Sequence, residues 1–210
     1  MPNILCFGDS NTFGTNPSGG RWPRDVRWPG ALQQRLGPAY YIIEEGLGGR
    51  TTVMEYTLEP DKNGRRHLPV ALRSHRPLDL VIIMLGTNDM KHRFSLLPTD
   101  IAKGAAELGT LAESYPYGPA YPTPRIMLIS PPHIGGGIAQ SPCAGFTARA
   151  VETSKKLAPL YRDICEARGW LYLDAAQCAA PSERDNLHME AESHLALAES
   201  VEQVIRGEFG

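Results

Sequence analysis

The chain has 210 residues, of which 42% are hydrophobic and 21% are charged, and its formal net charge is -2 at pH 7. This composition is ordinary for a globular protein, and the length suits one well-buried domain, so we expect residues 1–210 to form a single domain. The slightly negative charge disfavours nucleic acid as a partner, because such surfaces usually carry a basic stripe. No run of eighteen or more apolar residues predicts a membrane span, so we expect no membrane partner either.

Cysteine usage and the first residues predict a cellular compartment. Cys6, Cys143, Cys165 and Cys178 show no CxxC spacing, which disfavours a structural zinc site. Met1–Asn3 leads directly into an apolar segment, without the regions of a signal peptide. We therefore expect a reduced, cytoplasmic protein without disulfides, metal or other cofactors.

Apolar runs that predict strands alternate along the chain with segments that predict helices. In chain order the predicted elements are a strand over Asn3–Phe7, a helix over Asp25–Leu36, a strand over Tyr40–Leu47, a helix over Leu68–His75, a strand over Leu78–Gly86, a helix over Thr99–Glu113, a strand over Arg125–Ser130, a helix over Thr147–Arg168, a strand over Trp170–Ala175 and a helix over Glu190–Arg206. This alternation implies right-handed crossovers and a mostly parallel sheet covered on both faces. The predicted fold class is α/β, a three-layer α/β/α sandwich with a five-stranded sheet.

Polar or glycine-rich segments follow each predicted strand. Ligands of an open parallel sheet bind beyond the carboxyl ends of its strands, so we expect these segments to converge at one edge. They are Gly8–Ser10, Gly46–Thr52, Gly86–Asp89, Pro131–His133 and, before the last helix, Asp185–His188.

Ser10 is a candidate nucleophile. A serine at a strand-to-helix turn can expose its hydroxyl and gain from nearby backbone N–H groups, although Asp-Ser is more often a simple turn or helix cap. A serine nucleophile needs a base, and the base needs an orienting acid. His188 has Asp185 three residues before it, in a loop that should return to the same edge. With Ser10 near the start of the chain and this pair near its end, we favour a Ser10–His188–Asp185 catalytic set over a helix cap with an incidental histidine.

The same edge offers hydrogen-bond donors for a developing oxyanion. Asn88 can supply a side-chain amide, and Gly49 can bring its backbone N–H close because it has no Cβ. Both residue types are also common in plain turns and bends. The N–H of Ser10 would complete a three-donor oxyanion hole.

Taken together, these segments resemble the SGNH (GDSL-type) hydrolase superfamily. Ser10 in FGDSNT, Gly49 in GLGGRTT, Asn88 in LGTNDMK and His188 in DNLHM match its four named residues in order, and Asp185 matches its aspartate. The resemblance implies a flavodoxin-like SGNH hydrolase fold and an ester as the small-molecule substrate. It also implies that Ser10 attacks the ester carbonyl, that His188 acts as base and then acid, and that Asp185 fixes its tautomer.

Longer stretches resemble the small bacterial arylesterase and acyltransferase branch of that superfamily, namely RWPGAL, IIEEGLGGRTT, PLDLVIIMLGTNDMK and YPTPRIMLISPP. This resemblance implies hydrolysis of short acyl esters, with acyl transfer to alcohols or peroxide as a side activity. Close members often carry Ser-Ala where this chain has Gly48-Gly49, and the stretch after Pro132 is shorter and richer in glycine here. These departures bear on which acyl chains the protein accepts. They also bear on a homo-oligomer formed through the variable loops, which is a hypothesis by family analogy.

Several neighbouring residues have expected supporting roles. We expect Asp9 to organise the turn under Ser10 and Asp89 to cap the helix that follows it. Five apolar residues in or beside the variable loops are candidates for the pocket wall, although ordinary packing explains each equally well: Phe13, Trp22, Trp28, Ile134 and Ile138.

Three alternatives remain open at this point. A carbohydrate O-acetylesterase of the same superfamily would use identical catalytic residues. A metallophosphoesterase would gather Asp, Asn and His around two metals, but its first strand usually ends in Asp-x-His, and here it ends in Asp9-Ser10-Asn11. A binding module with a dead site would show a degraded triad, and none is visible.

Overall fold

A computed structural model describes residues 1–210 as a five-stranded, wholly parallel sheet with helices on both faces. The strands are β1 (Asn3–Gly8), β2 (Tyr41–Gly46), β3 (Leu80–Met84), β4 (Arg125–Ser130) and β5 (Leu171–Asp174), in the spatial order β2-β1-β3-β4-β5. The helices are α1 (Ser10–Phe13), α2 (Trp28–Leu36), α3 (Gly64–His75), α4 (Pro98–Ser114), α5 (Arg149–Ser154), α6 (Leu157–Arg168) and α7 (Ala191–Phe209). The predicted three-layer α/β/α fold class is confirmed.

Two hydrophobic cores sandwich the sheet, because side chains of a strand alternate between its faces. In β3, Val81 and Ile83 pack with α3, α4 and α6, whereas Leu80 and Ile82 pack with α2 and α7. All five residues of β3 are buried, which explains why this strand reads as a continuous apolar run in the sequence.

The predicted single helix over Thr147–Arg168 is wrong, because two helices, α5 and α6, occupy this stretch. Pro159 explains the break. It has no N–H to donate to the carbonyl of Lys155, and its ring would clash with that carbonyl in a continuous helix. As the third residue of α6, Pro159 instead lies in a first turn, where the missing N–H has no intrahelical acceptor in any case.

Other helix starts also differ from the sequence-based prediction, and α2 begins at Trp28 rather than Asp25. Helix α3 begins at Gly64 rather than Leu68, because the Asn63 side chain caps it by accepting a hydrogen bond from Arg65 N at 3.0 Å. The four-residue helix α1 was not predicted at all. None of the helices combines the length and the apolar character that a membrane crossing requires.

The strand order places a crevice at the carboxyl ends of β1 and β3. From β1 the chain moves to β2 on one side, and β3 then lies on the other side of β1, which makes this a topological switch point. Glycines let the loops approach closely here. A Cβ on Gly8 would lie 2.0 Å from Thr12 Oγ1, and one on Gly46 would lie 2.1 Å from Phe13 N. Helix α1 therefore sits directly on the end of the sheet.

Candidate active site

Ser10 is the first residue of α1 and follows β1 after a single intervening residue. That residue, Asp9, caps the helix: its Oδ1 accepts a hydrogen bond from Asn11 N at 3.0 Å. Asp9 is buried, and this burial raises its pKa to about 6. As expected, Asp9 organises the turn that presents Ser10 at the sheet edge.

Asp185 and His188 form a tight pair in the loop between β5 and α7. His188 Nδ1 lies 2.6 Å from Asp185 Oδ2, and Asp185 Oδ1 accepts from the backbone N–H groups of Leu187 and His188, both at 2.9 Å. Although burial raises the pKa of Asp185, the hydrogen bonds from His188 and the backbone outweigh it and hold that pKa below its usual value. Because Nδ1 is engaged with the carboxylate, Nε2 is the imidazole nitrogen left for proton transfer.

Cys143 is a second neighbour of this imidazole and was missed by the sequence analysis. Its free thiol is half-buried, and single ligand atoms of Cys143, Asp185 and His188 lie within 4.8 Å of one another. Burial lowers the pKa of His188, but the hydrogen bond with Asp185 and the neighbouring Cys143 outweigh it and raise this pKa to about 9. Nothing in the residue pattern signals this contact, because Cys143 comes from the loop after β4.

An open cleft of about 310 Å³ brings most of the predicted site residues together. It is lined by Ser10, Thr15, Gly48, Gly49, Asn88, Lys91, Cys143, Ala144, Phe146, Leu187 and His188. Asp185 stands behind His188, bonded to its far nitrogen. The Ser10 hydroxyl makes no hydrogen bond to His188 in this structure, and such bonds commonly tighten only around a bound substrate.

The two predicted oxyanion donors beside Ser10 both line this cleft. Gly49 has a φ of 80°, in the left-handed region that favours glycine. The buried Asn88 amide donates one N–H to the carbonyl of Arg50 at 3.1 Å, which fixes its orientation and leaves its second N–H free. The arrangement therefore places an amide donor from the turn after β3 beside the loop after β2 that carries Gly49.

The expectation that Asp89 caps the following helix is wrong. Asp89 lies inside a short 3₁₀ turn, Asn88–Met90, and α4 begins only at Pro98. Its buried carboxylate accepts from Thr52 N, at 3.1 and 3.0 Å to its two oxygens, and from the Thr52 hydroxyl. Burial raises the pKa of Asp89 to about 6. Asp89 thus ties the turn that carries Asn88 to the loop that carries Gly49.

Asn11 performs a comparable task on the other side of the cleft. Its side chain donates to Leu187 O at 3.3 Å and accepts from Met189 N at 3.1 Å, so it holds both neighbours of His188. Asn11 is buried, which is unusual for an asparagine on a surface turn. An amide immediately after the candidate nucleophile is the signal that the sequence analysis passed over.

The glycine-rich loop after β4 packs directly on the loop that carries the His–Asp pair. Gly135 N donates to Asn186 O at 2.9 Å, and Gly137 N donates to Asn186 Oδ1 at 3.0 Å. A Cβ on Gly135 would lie 2.5 Å from Asn186 Oδ1, so glycine is required for this approach. The Ser141 hydroxyl adds a bond to Asp185 O. Through these contacts the loop brings Cys143 into the cleft.

The five candidate wall residues do not line the cleft, and the prediction for them is wrong. Trp28, Ile134 and Ile138 are buried in the cores, and Trp22 donates its indole N–H to Met189 O at 3.1 Å. Phe13 is likewise absent from the lining. Three of these five apolar side chains therefore pack in the cores rather than in the cleft. The aromatic wall is formed instead by Phe146.

The structure does not support the two-metal alternative. Cys143, Asp185 and His188 are the one set of three side chains placed to hold a cation. Two-metal hydrolases need enough carboxylate and imidazole ligands for two ions, and neither Asp9 nor His133 joins this set. A serine on a strand-to-helix turn, a His–Asp pair and neighbouring amide donors lie instead at one edge of an α/β sheet, the set of groups that serine hydrolases use.

Comparison with known proteins identifies the family. Residues 6–196 match the model of the GDSL-like Lipase/Acylhydrolase family, so the chain belongs to this family, and it is a carboxylic ester hydrolase. A comparison with curated proteins gave no significant match.

Solved structures agree with this assignment. Est24, a carbohydrate acetylesterase from Sinorhizobium meliloti, is 36% identical over 100% of both chains, with a TM-score of 0.93. The native aryl esterase of M. smegmatis is 34% identical over 99% of both chains, with a TM-score of 0.91. A carbohydrate acetylesterase family member from Sinorhizobium meliloti is 35% identical over 99% of this chain and 98% of its own, with a TM-score of 0.90.

Proposed function

We propose that this protein is a serine esterase that hydrolyses short-chain, acetyl-type esters through an acyl-enzyme on Ser10. One observation carries the proposal. The Asp185–His188 pair, joined at 2.6 Å, presents its imidazole in the same cleft as Ser10, Gly49 and Asn88.

The reaction follows from these positions. Ser10 Oγ attacks the ester carbonyl while His188 Nε2 takes its proton, and Asp185 stabilises the imidazolium. The N–H groups of Ser10 and Gly49 and the Asn88 amide bind the oxyanion, each contributing roughly 3 kcal/mol. His188 then gives its proton to the leaving alcohol, which departs and leaves the acyl-enzyme. In the second half, His188 deprotonates a water that attacks the acyl-enzyme. His188 then returns this proton to Ser10 Oγ as the carboxylic acid is released.

The dimensions of the cleft support a small acyl group. A volume of about 310 Å³ lies at the lower end of the range for ligand sites, and Ala144, Phe146 and Leu187 give it an apolar wall. If an alcohol or peroxide takes the place of the second-half water, the same steps give acyl transfer. We include this side activity in the proposal because the sequence resembles the acyltransferase branch.

Ser10→Ala tests the nucleophile. With p-nitrophenyl acetate, butyrate and octanoate, and a chelator present, we expect the native protein to prefer the shorter esters. The variant should lose at least about 10⁴-fold in kcat, because no other residue supplies the attacking oxygen. Ser114→Ala, at an exposed position near the end of α4, is the matched control and should keep full activity. Activity that survives in Ser10→Ala would show that Ser10 is not the nucleophile.

A carbohydrate O-acetylesterase is the second candidate function, favoured by the 36% and 35% identity to carbohydrate acetylesterase structures. The catalytic residues would be the same, so the two candidates differ in the alcohol part of the ester. Comparing kcat/KM on phenyl acetate and on acetylated xylose separates them. A clear preference for the sugar would assign the carbohydrate substrate.

A further inference from the structure

Lys91 contributes a cation to the cleft that the proposed chemistry does not use. It follows the turn carrying Asn88 and lines the cleft with Ser10 and Gly49. Its side chain is only 12% exposed. Its Nζ lies 5.8 Å from the centroid of the Phe146 ring, which lines the same cleft. The Lys91 side chain therefore borders the cleft that also contains Ser10 and His188.

This ammonium lacks a strong partner within the protein. It makes no hydrogen bond, and the nearest carboxylate oxygen, Glu59 Oε2, is 3.9 Å away. The other oxygen of Glu59 already accepts from Arg93 Nη1 at 2.9 Å. Burial lowers the pKa of Lys91, Glu59 raises it, and the nearby cations Arg93 and Lys62 lower it further. An ammonium that gives up hydration without hydrogen bonds in return is poorly compensated.

Positive charge predominates around Lys91. A small pocket beside Gly49 is lined by Lys62, Lys91 and Arg93, with Glu59 as its one carboxylate. Lys62 Nζ is anchored to Gly48 O at 2.8 Å. In the lining of this pocket three cations face one carboxylate, and the buried Asp9 is a further anion that acts on Lys91.

We propose that Lys91 forms a carboxylate-binding subsite, so that the preferred substrates are esters carrying a carboxylate on their acyl or alcohol part. The inference rests on the proposed esterase function and names its substrate class. A substrate carboxylate would give the Lys91 ammonium a charge-assisted hydrogen bond, and Lys62 and Arg93 would add attraction from nearby.

Two matched pairs of esters test the subsite and locate the charge. For the alcohol part, 4-acetoxybenzoate is compared with its methyl ester. For the acyl part, mono-4-nitrophenyl adipate is compared with 4-nitrophenyl hexanoate. We expect the native protein to favour the anionic member of at least one pair by tenfold or more in kcat/KM. The pair that shows the preference identifies the part of the ester that faces Lys91.

Variants of Lys91 assign that preference to its charge. Lys91→Met should lower the anionic-to-neutral ratio at least tenfold, whereas Lys91→Arg should retain most of it. The ratio cancels effects on the chemistry that both esters share. Lys103→Met, at an exposed position on α4, should leave the ratio unchanged.

Binding provides a readout independent of turnover. In Ser10→Ala, the anionic member of at least one matched pair should bind at least tenfold more tightly by calorimetry, and this also decides the question if Lys91→Met does not fold. The pairs are 4-hydroxybenzoate with 4-hydroxybenzamide for the alcohol part, and monomethyl adipate with methyl hexanoate for the acyl part. Equal kcat/KM within both pairs, or a preference that persists in Lys91→Met, would overturn the subsite while leaving the esterase function intact. Failure of the native protein to hydrolyse any of the four esters would contradict the proposed function, and the binding comparison would still judge the subsite.

Discussion

His188 has two neighbours that favour its protonated form, and this determines how catalysis should respond to pH. The pKa of His188 is lowered by burial but raised more strongly by Asp185 and Cys143, to about 9. Only the neutral imidazole can accept the proton of Ser10. At pH 7 the neutral fraction is therefore about one in a hundred.

We expect kcat/KM to rise about tenfold per pH unit through the neutral range and to level off near pH 9. Cys143→Ala removes one contact that raises the pKa of His188, so its whole profile should move to lower pH. The measurement is kcat/KM for an aryl acetate from pH 5.5 to 10, corrected for spontaneous hydrolysis. Cys178→Ala is the control, because that half-buried thiol contacts Ala175 O instead. A Cys143→Ala profile that overlays the native one would contradict the assignment.

Residues that follow a strand could be predicted from sequence, and residues that reach the cleft through a folded loop could not. Ser10 lies two residues after β1 and Asn88 four residues after β3, so strand prediction alone places both near the sheet edge. Cys143 reaches the cleft only because glycines allow its loop to pack on Asn186. Lys91 was overlooked because a lysine after a turn reads as a solvated side chain, whereas this one is largely buried.

At the scale of elements, buried side chains join the loops at the carboxyl ends of the strands. Asp89 connects the loop after β3 to the loop after β2 through Thr52. Asn11 connects α1 to the loop after β5. Each contact links segments from different strands, so the geometry of the site depends on the sheet as a whole.

Asn11→Leu should reduce kcat by about 100-fold with little change in KM. The leucine keeps the size of the side chain but removes both hydrogen bonds to the His188 loop, together about 2–3 kcal/mol. The measurement is steady-state kinetics beside a thermal unfolding curve.

The matched control for this prediction is Asn16→Leu, since the Asn16 side chain accepts only from Ser18 N within its own loop. Loss of kcat in Asn11→Leu should be accompanied by a His188 proton resonance that differs from the native one. A variant that folds and turns over normally would show that Asn11 does not position His188.

The five predicted strands match the structure closely because strands of a buried parallel sheet read as continuous apolar runs in the sequence. Helix boundaries were less accurate for identifiable reasons. The Asn63 cap and Pro159 are both visible in the sequence, but the continuous helical pattern around Pro159 concealed the break between α5 and α6. Local signals of this kind can be used to place a helix boundary only when the competing tertiary contacts are known.

For the molecule as a whole, His194 couples stability to pH. It is fully buried in α7, and its Nδ1 accepts from Trp28 N in the first turn of α2 at 3.3 Å. Burial lowers its pKa to about 3, and the charge of His188 acts in the same direction. The imidazole therefore stays neutral in the folded protein over most of the acidic range.

Because the folded pKa lies below the unfolded value of about 6.5, the contribution of His194 to stability is complete above that pH and is lost as the pH falls toward 3. At pH 5 the loss is about 2 kcal/mol. The amide oxygen of an asparagine at position 194 can also accept from Trp28 N. We therefore expect the free energy of unfolding of His194→Asn to fall by about 2 kcal/mol less than that of the native protein between pH 7 and pH 5. Urea unfolding at pH 7 and at pH 5 measures this free energy for each protein.

Asp9 and Asp89 act in the opposite direction. Their pKa values are raised by burial to about 6. Their contributions to the stability of the folded protein therefore grow as the pH falls through that value. Both are present in native protein and variant, so they cancel in the comparison. His92→Asn, at an exposed histidine, should show the native pH dependence, and an identical dependence in His194→Asn would contradict the role of His194.

The contact between Asn11 and Met189 spans 178 residues. During synthesis, the ribosome adds Ser10, the proposed nucleophile, long before His188, its proposed base. Until the loop after β5 has emerged and docked on α1, the growing chain holds a hydroxyl without a base. Competence to cleave esters is thus acquired late in biogenesis, together with the packing of the last helix.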